Sequence, residues 1–202
     1  MKIKTLTFGI FAALLLTACG NKANESETEA KTTNSDQWQE IKPQNIDVNA
    51  VKLFANDRML LSAGKDTSMN MMTIAWGALG ELWGKPIVTV YVSTDRYTYK
   101  FLEDNEYFTV TAFPEQFRDK LQYLGSVSGR DEDKIANARM SVEFYNGTPY
   151  IDESYIVCIC KKLSATKLTP DQFADGDIEK TWYEKGDYHT MYIGEITCLM
   201  AR

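Results

Sequence analysis

Apolar and polar positions alternate in short runs along most of the chain, and this period of two predicts strands. A strand over Met71–Trp76 would put Met71, Thr73 and Ala75 on one face and Met72, Ile74 and Trp76 on the other. Ile87–Val92 is apolar and β-branched, the clearest strand in the chain. Further strands are expected at Met59–Ala63 and Tyr107–Ala112, in a long run over Tyr155–Leu168, and in a final run over His189–Met200 broken once at Gly194. Val142–Tyr145 and Pro149–Ile151 flank Asn146-Gly147, the dipeptide of a two-residue hairpin. Gly64 to Ser68 reads as a turn, and Gly77 to Lys85 as a glycine-containing loop that carries Trp83.

Helical spacing interrupts this pattern. Asn49–Ala55 can form a short helix before the first strand. Thr98 can cap a helix running through Phe101 and Leu102 to Asn105. Pro114 opens another, with Phe117, Leu121 and Leu124 at i, i+4 and i+7 and Gly125 closing it. A third runs from Asp131 to Ala138, and the acidic stretch Thr169 to Gly186 is loop-like with a helix around Ile178–Tyr183. Many strands with helices inserted between two of them predict a mainly β fold, a β-barrel with inserted helices.

The N-terminus follows another logic. Lys2 and Lys4 precede an apolar run from Phe8 to Leu16, too short for a permanent membrane span and suited to an export signal. Leu16-Thr17-Ala18-Cys19 resembles the bacterial lipobox, which implies a lipid on Cys19; a plain signal peptide that happens to contain Cys19 is the alternative. From Gly20 to about Trp38 the chain is rich in Asn, Glu, Thr, Lys and Ser, too polar to offset ordering entropy, and reads as a flexible spacer. The expected organisation is a signal peptide over 1–18, a lipidated tether over 19–40 and a folded body over 41–202, held on a membrane of the bacterial cell envelope outside the cytoplasm.

A body of about 160 residues can bury a real core. The formal charge of −6, more negative still once Lys2 and Lys4 leave with the signal, argues against nucleic acid as a partner. Cys158 and Cys160 would share one face of a strand and cannot easily bridge each other. Buried free thiols are expected there and at Cys198, with a disulfide to Cys198 left open by an oxidising compartment. One histidine and no CxxC pair give no expectation of a metal.

Three segments suggest a phosphate-bearing ligand. Ser93-Thr94-Asp95-Arg96-Tyr97-Thr98 joins the best strand to a helix N-terminus, where unpaired N–H groups, the Thr94 and Thr98 hydroxyls and the Arg96 fork suit phosphate oxygens. An ordinary helix cap with a surface arginine has the same sequence. Gly125-Ser126-Val127-Ser128-Gly129-Arg130 can point consecutive N–H groups at an anion, or simply connect two helices. Asn70-Met71-Met72-Thr73-Ile74-Ala75-Trp76-Gly77 offers the flat apolar contact and the hydrogen bonds that a flavin ring needs, although core packing is the commoner fate of such a strand.

Together these segments resemble the flavin-reductase-like family, which includes flavoredoxin. The resemblance is carried by Asn70 to Gly77, Trp83-Gly84-Lys85-Pro86, Arg96-Tyr97-Thr98, Phe108-Thr109-Val110, Ser128-Gly129-Arg130 with Asp133-Lys134, and His189 ahead of Tyr192-Ile193-Gly194-Glu195. It implies an FMN-binding split barrel, a homodimer with non-covalent FMN near the subunit interface. Carried over by position, Thr73, Ala75 and Trp76 would lie along the isoalloxazine. Ser93, Thr94, Arg96 and Thr98 would hold the ribityl phosphate. Ser128, Gly129, Arg130 and Lys134 would complete the anion site, and His189 would face the flavin or its substrate. A barrel-end histidine bonded to backbone is the plain alternative for His189.

The implied activity is an FMN-dependent NAD(P)H oxidoreductase, a flavin reductase in which the cofactor carries the chemistry. Export departs from the family habit, because NAD(P)H is scarce outside the cytoplasm. A flavoredoxin-like electron carrier fed by a redox-protein donor therefore stands beside it. A non-catalytic flavin- or haem-type ligand-binding lipoprotein and a structural envelope lipoprotein remain as alternatives.

Overall fold

The computed structural model describes residues 37–202. The export signal, Cys19 and most of the spacer lie outside the described residues. In chain order the elements are β1 (Gln39–Glu40), α1 (Ala50–Lys52), β2 (Met59–Lys65), β3 (Ser68–Ile74), β4 (Gly77–Leu82), β5 (Lys85–Ser93), α2 (Tyr97–Asp104), β6 (Tyr107–Ala112), α3 (Arg118–Ser126), α4 (Lys134–Ala138), β7 (Val142–Tyr145), β8 (Thr148–Ile151), β9 (Ile156–Lys167), α5 (Gly176–Trp182) and β10 (His189–Ala201).

One antiparallel sheet runs β3-β2-β6-β9-β10-β5-β4, with β1 added to the end of β10, and β7–β8 form a separate hairpin. The two ends of this sheet, β3 and β4, are joined through Ala75 and Trp76 alone. They make in effect one long bent strand that leaves β2 and joins β5, which curls the sheet into a barrel. Side chains from β2, β5, β6, β9 and β10, among them Leu61, Val88, Val90, Val110, Cys158 and Tyr192, fill the interior. A second cluster, Leu60, Met71, Phe113, Leu121 and Leu124, seats α3 against the outside of β2 and β3. Among the described residues no helix is long and apolar enough to cross a membrane.

Most predicted elements stand where the periodicity put them. The loop expected over Gly77 to Lys85 is instead strand β4 and a tight turn. Trp83 and Gly84 both take positive φ, 57° and 70°, the two-residue geometry whose twist matches a hairpin. Gly77-Ala78-Leu79-Gly80 has weak strand propensity, and pairing with β5 overrides it. The long final strand has two irregularities, beside Gly194 and again between Ile196 and Cys198, where one was expected. The end of the expected tether is tied down: Gln39 pairs with Ala201, and Trp38 Nε1 donates to Asp152 at 3.0 Å.

Cys158, Cys160 and Cys198 are free and buried. Cys158 and Cys160 face the barrel interior, while Cys198 packs with Val157 and Ile159 on the other face of the sheet, so Cys198 bridges neither. Burial pushes the Cys158 thiol up to about 12, far from a reactive thiolate.

Candidate functional site

The turn from β5 into α2 is fixed by its own backbone. Arg96 N–H donates to the Ser93 carbonyl at 3.0 Å, and the Ser93 hydroxyl accepts the Asp95 N–H at 3.3 Å. Arg96, not Thr98, is the N-cap of α2. Thr98 lies one residue inside the helix and is buried, with its Oγ1 accepting a 2.8 Å hydrogen bond from Asn70 Nδ2. That bond leaves the Thr98 hydroxyl proton to be donated elsewhere. The reassignment follows from burial: a threonine on the inner face of the helix cannot also turn outward to cap it.

Across a cavity of about 130 Å³ lies the turn after α3. Ser128 organises it: its carbonyl accepts Asp131 N–H and its hydroxyl accepts Arg130 N–H. Gly129 approaches Asn70 so closely that a Cβ there would fall 2.3 Å from Asn70 Oδ1. Lys134, buried in the floor, donates to the carbonyls of Leu124 and Val127 at 2.8 and 3.0 Å. It thus satisfies carbonyls left over at the C-terminal end of α3. Arg130 reaches back to the Asp95 carbonyl at 2.9 Å, with its guanidinium over the Tyr97 ring.

Arg96, Thr98, Ser128, Gly129, Arg130 and Lys134 all line this one cavity. Arg96, Arg130 and Lys134 form no ion pair with a carboxylate among the described residues. Burial, reinforced by the Arg96 charge, pushes the Lys134 ammonium down to about 8. Three cations and one carboxylate, Asp95, line a small polar hollow in which none of the cations is ion-paired, an arrangement that suits an anion.

Thr73 and Ala75 line a neighbouring hollow of about 350 Å³ with Arg58, Leu121 and Gln122. Gly125 lines both hollows and packs closely against Thr73. The Thr73 hydroxyl is already donated to the Leu121 carbonyl. Trp76 turns instead toward β10 and α5. Its ring lies 4.7 Å from His189 and 5.3 Å, edge to face, from Trp182, while Tyr183 sits edge to face with His189 at 5.5 Å. His189 pairs with Ser93 in the sheet, which places the aromatic group at the end of β5 from which the turn into α2 starts. His189 Nδ1 is buried without a hydrogen-bond partner among the described residues, so the expectation of a backbone-bonded barrel-end histidine does not describe that nitrogen. Burial holds the imidazole below its ordinary range; Asp187 opposes this and Arg96 adds to it.

Residues 51–201 match the family described as flavin reductase like domain. The chain belongs to this family. Solved relatives share its fold. An FMN-binding domain of a flavin reductases-like enzyme from Shewanella baltica is 16% identical, with 82% of this chain and 77% of that one covered, at a TM-score of 0.58. Flavoredoxin from Methanosarcina acetivorans is 22% identical over 78% and 75% of the two chains, at 0.57. The styrene monooxygenase flavin reductase from Pseudomonas putida is 18% identical over 75% and 82%, at 0.54. No curated protein sequence matches the chain significantly. The split barrel of the family is the fold that the strand pattern and the resemblance together predicted.

Two features of this site were not evident from the residues alone. Asn70 braces both walls of the cavity, and a buried asparagine on an otherwise apolar strand is the signal for such a role. Trp182 and Tyr183 close the aromatic group from a stretch read only as acidic loop and helix. Their signal was three aromatic residues, Trp182, Tyr183 and Tyr188, next to the one histidine.

Proposed function

We propose that this flavin reductase like chain binds FMN non-covalently and works as an FMN-dependent oxidoreductase, taking hydride from NAD(P)H or electrons from a redox protein. The observation that carries the reading is the set Arg96, Arg130 and Lys134, none of them ion-paired among the described residues, around the Gly129 turn at the N-terminus of α2. These residues suit a ribityl phosphate: two guanidinium forks, an ammonium and the Thr98 hydroxyl supply charge and donors, and Gly129 lets backbone come close. The hollow at Thr73 and Ala75, which shares Gly125 with the first, offers space along β3 for a flat ring. The described FMN binding of the Shewanella baltica relative supports the same ligand.

Bound FMN would supply the hydride and electron chemistry. The chain's own work is to hold the phosphate, keep water from the ring and leave a neutral imidazole, His189, beside Trp76. A neutral ring with a spare nitrogen can accept or donate one hydrogen bond to a reacting partner without adding charge. Ile178 and Trp182 are exposed at i and i+4 on α5, and Trp76 packs against Trp182; this apolar patch supports a homodimer at that end of the barrel. The sequence Lys2 to Cys19 supports export and a lipid anchor on Cys19 in the cell envelope. Export in turn favours the second reading, an electron carrier whose donor is another redox protein.

An anaerobic absorption titration tests both. FMN bands that shift on binding and bleach with NADH indicate a reductase. Bands that shift but bleach only with dithionite indicate a carrier. FMN whose spectrum the protein leaves unchanged would end the proposal.

A further inference from the structure

Trp83 is placed against local preference. It is the first residue of the two-residue turn between β4 and β5, where a positive φ of 57° favours Gly, Asn or Asp. A bulky residue in that region is a genuine outlier. The residue is 65% exposed, so no core burial offsets the strain. Backbone strain kept at an exposed position is the pattern of a side chain held out for use.

The sheet register says which end of the barrel it occupies. The start of β5 lies alongside the C-terminal half of β10, and β1 pairs at the very end of β10. The chain therefore enters the fold, at Trp38 and Gln39, on the same rim as the Trp83 hairpin. Beside the hairpin is an apolar hollow of about 400 Å³ lined by Pro43, Ile46, Leu79, Pro86 and Ile196. Ser93, Arg96 and His189 lie at the other end of β5, roughly 25–30 Å away at the usual strand rise.

We infer that the Trp83 hairpin is a membrane-facing tip that seats its indole in the headgroup region of a lipid bilayer and turns the FMN site away from it. This rests on the reading that Cys19 carries a lipid. The chain from Cys19 to Trp38 reaches at most roughly 65 Å even when extended, and it joins the barrel at this rim, so the anchor is attached on the Trp83 side and not on the side of Ser93 and His189. An exposed tryptophan with an apolar body and one N–H belongs at that depth. Nearby charges are mixed, with Lys85 paired to Glu195 at 2.6 Å and Glu81 exposed, so insertion and not charge attraction holds the tip. The electron partner would then approach from the aqueous side.

The test uses the full chain, extracted from membranes and reconstituted into phosphatidylcholine vesicles with or without lipid brominated high on the acyl chains. Bromine-dependent quenching of tryptophan fluorescence is expected in the wild type and lost in Trp83→Asn, a variant the turn favours. A mass spectrum of the same sample reads the lipid on Cys19 independently. Quenching equal in both chains, or absent from both, overturns the inference whatever the mass. Loss of a dimer in Trp83→Asn without bromine quenching also overturns it and gives the hairpin to a second copy. Quenching lost in the variant while Cys19 is unmodified keeps the membrane contact and removes only the anchor.

Discussion

Asn70 and Thr98 are joined by a buried hydrogen bond of 2.8 Å that ties the edge strand β3 to the first turn of α2. The same asparagine backs onto Gly129 from the other wall of the anion cavity. One amide therefore sets the spacing between the two turns that line the cavity proposed for the phosphate. Asn70→Leu strips Thr98 of its donor and is expected to lower the unfolding free energy by about 1–3 kcal/mol. Gly129→Ala forces the amide to move, and FMN affinity should fall more than stability does. Urea melts and FMN titrations on the two variants separate these effects. Wild-type FMN affinity in Gly129→Ala would move the site elsewhere.

Arg96 is exposed, and its guanidinium makes no hydrogen bond among the described residues, so the fold does not depend on it. Its removal should be felt by the ligand and by the titration of His189 and Lys134, not by the packing. Arg96→Ala is expected to weaken FMN binding by about 1.5–3 kcal/mol, the scale of a charged hydrogen bond, or roughly ten- to a hundredfold in Kd. The melting temperature should stay put. Unchanged Kd would take Arg96 out of the phosphate site.

Lys134 gives the site a pH dependence of definite sign. Its ammonium is pushed down to about 8 in the folded chain, against an ordinary value of 10.5. Between those values the unfolded chain keeps a proton that the folded chain gives up, so the ligand-free protein gains stability as pH rises through that window. A bound phosphate favours the charged ammonium and draws a proton in, so FMN affinity should fall as pH rises above about 8. Lys134→Met removes both slopes and also leaves the Leu124 and Val127 carbonyls without their donor. Titrations from neutral to alkaline pH, with the variant alongside, read both effects.

The chain has a single histidine, so its imidazole resonance in a proton NMR spectrum needs no assignment. His189 should titrate below 6.5, because burial disfavours the charged ring and Arg96 adds to this. Arg96→Ala should move the midpoint up. Since the folded value lies below the unfolded one, the stability that the neutral ring contributes is complete above pH 6.5 and is lost as pH falls through the folded midpoint. A midpoint above 6.5 would mean that Asp187, which acts in the opposite direction, dominates.

The barrel was legible because its strands announce themselves. Ile87–Val92 and the Asn146-Gly147 hairpin needed nothing beyond periodicity and turn chemistry. The grouping of Arg96 and Thr98 with Ser128, Gly129, Arg130 and Lys134 was legible because a helix start and a glycine–arginine turn carry their chemistry locally, and the fold brings them to one cavity. Other features were set by tertiary contact, which no local pattern contains. β4 is a strand because β5 pairs with it, and Thr98 serves as an acceptor inside α2 because Asn70, twenty-eight residues earlier, reaches it. Likewise, the short edge from Trp76 to Trp182 joins residues more than a hundred positions apart.

Trp83-Gly84 belongs to the family resemblance, and the geometry of its turn makes a separate prediction. A left-handed backbone costs an ordinary side chain about 1–2 kcal/mol relative to glycine. Trp83 bears that cost with its indole largely in solvent. Trp83→Gly and Trp83→Asn should therefore raise stability by about 1 kcal/mol, which for a body of this size is about 2–4 °C in Tm. Gly84→Ala, at φ 70°, should do the reverse. Calorimetry of the lipid-free chain measures all three. A gain in Trp83→Asn together with lost bilayer contact would mean that stability is traded for the membrane-facing tip. A lower Tm in that variant would mean that the indole is packed after all, and the strain would need no use outside the fold.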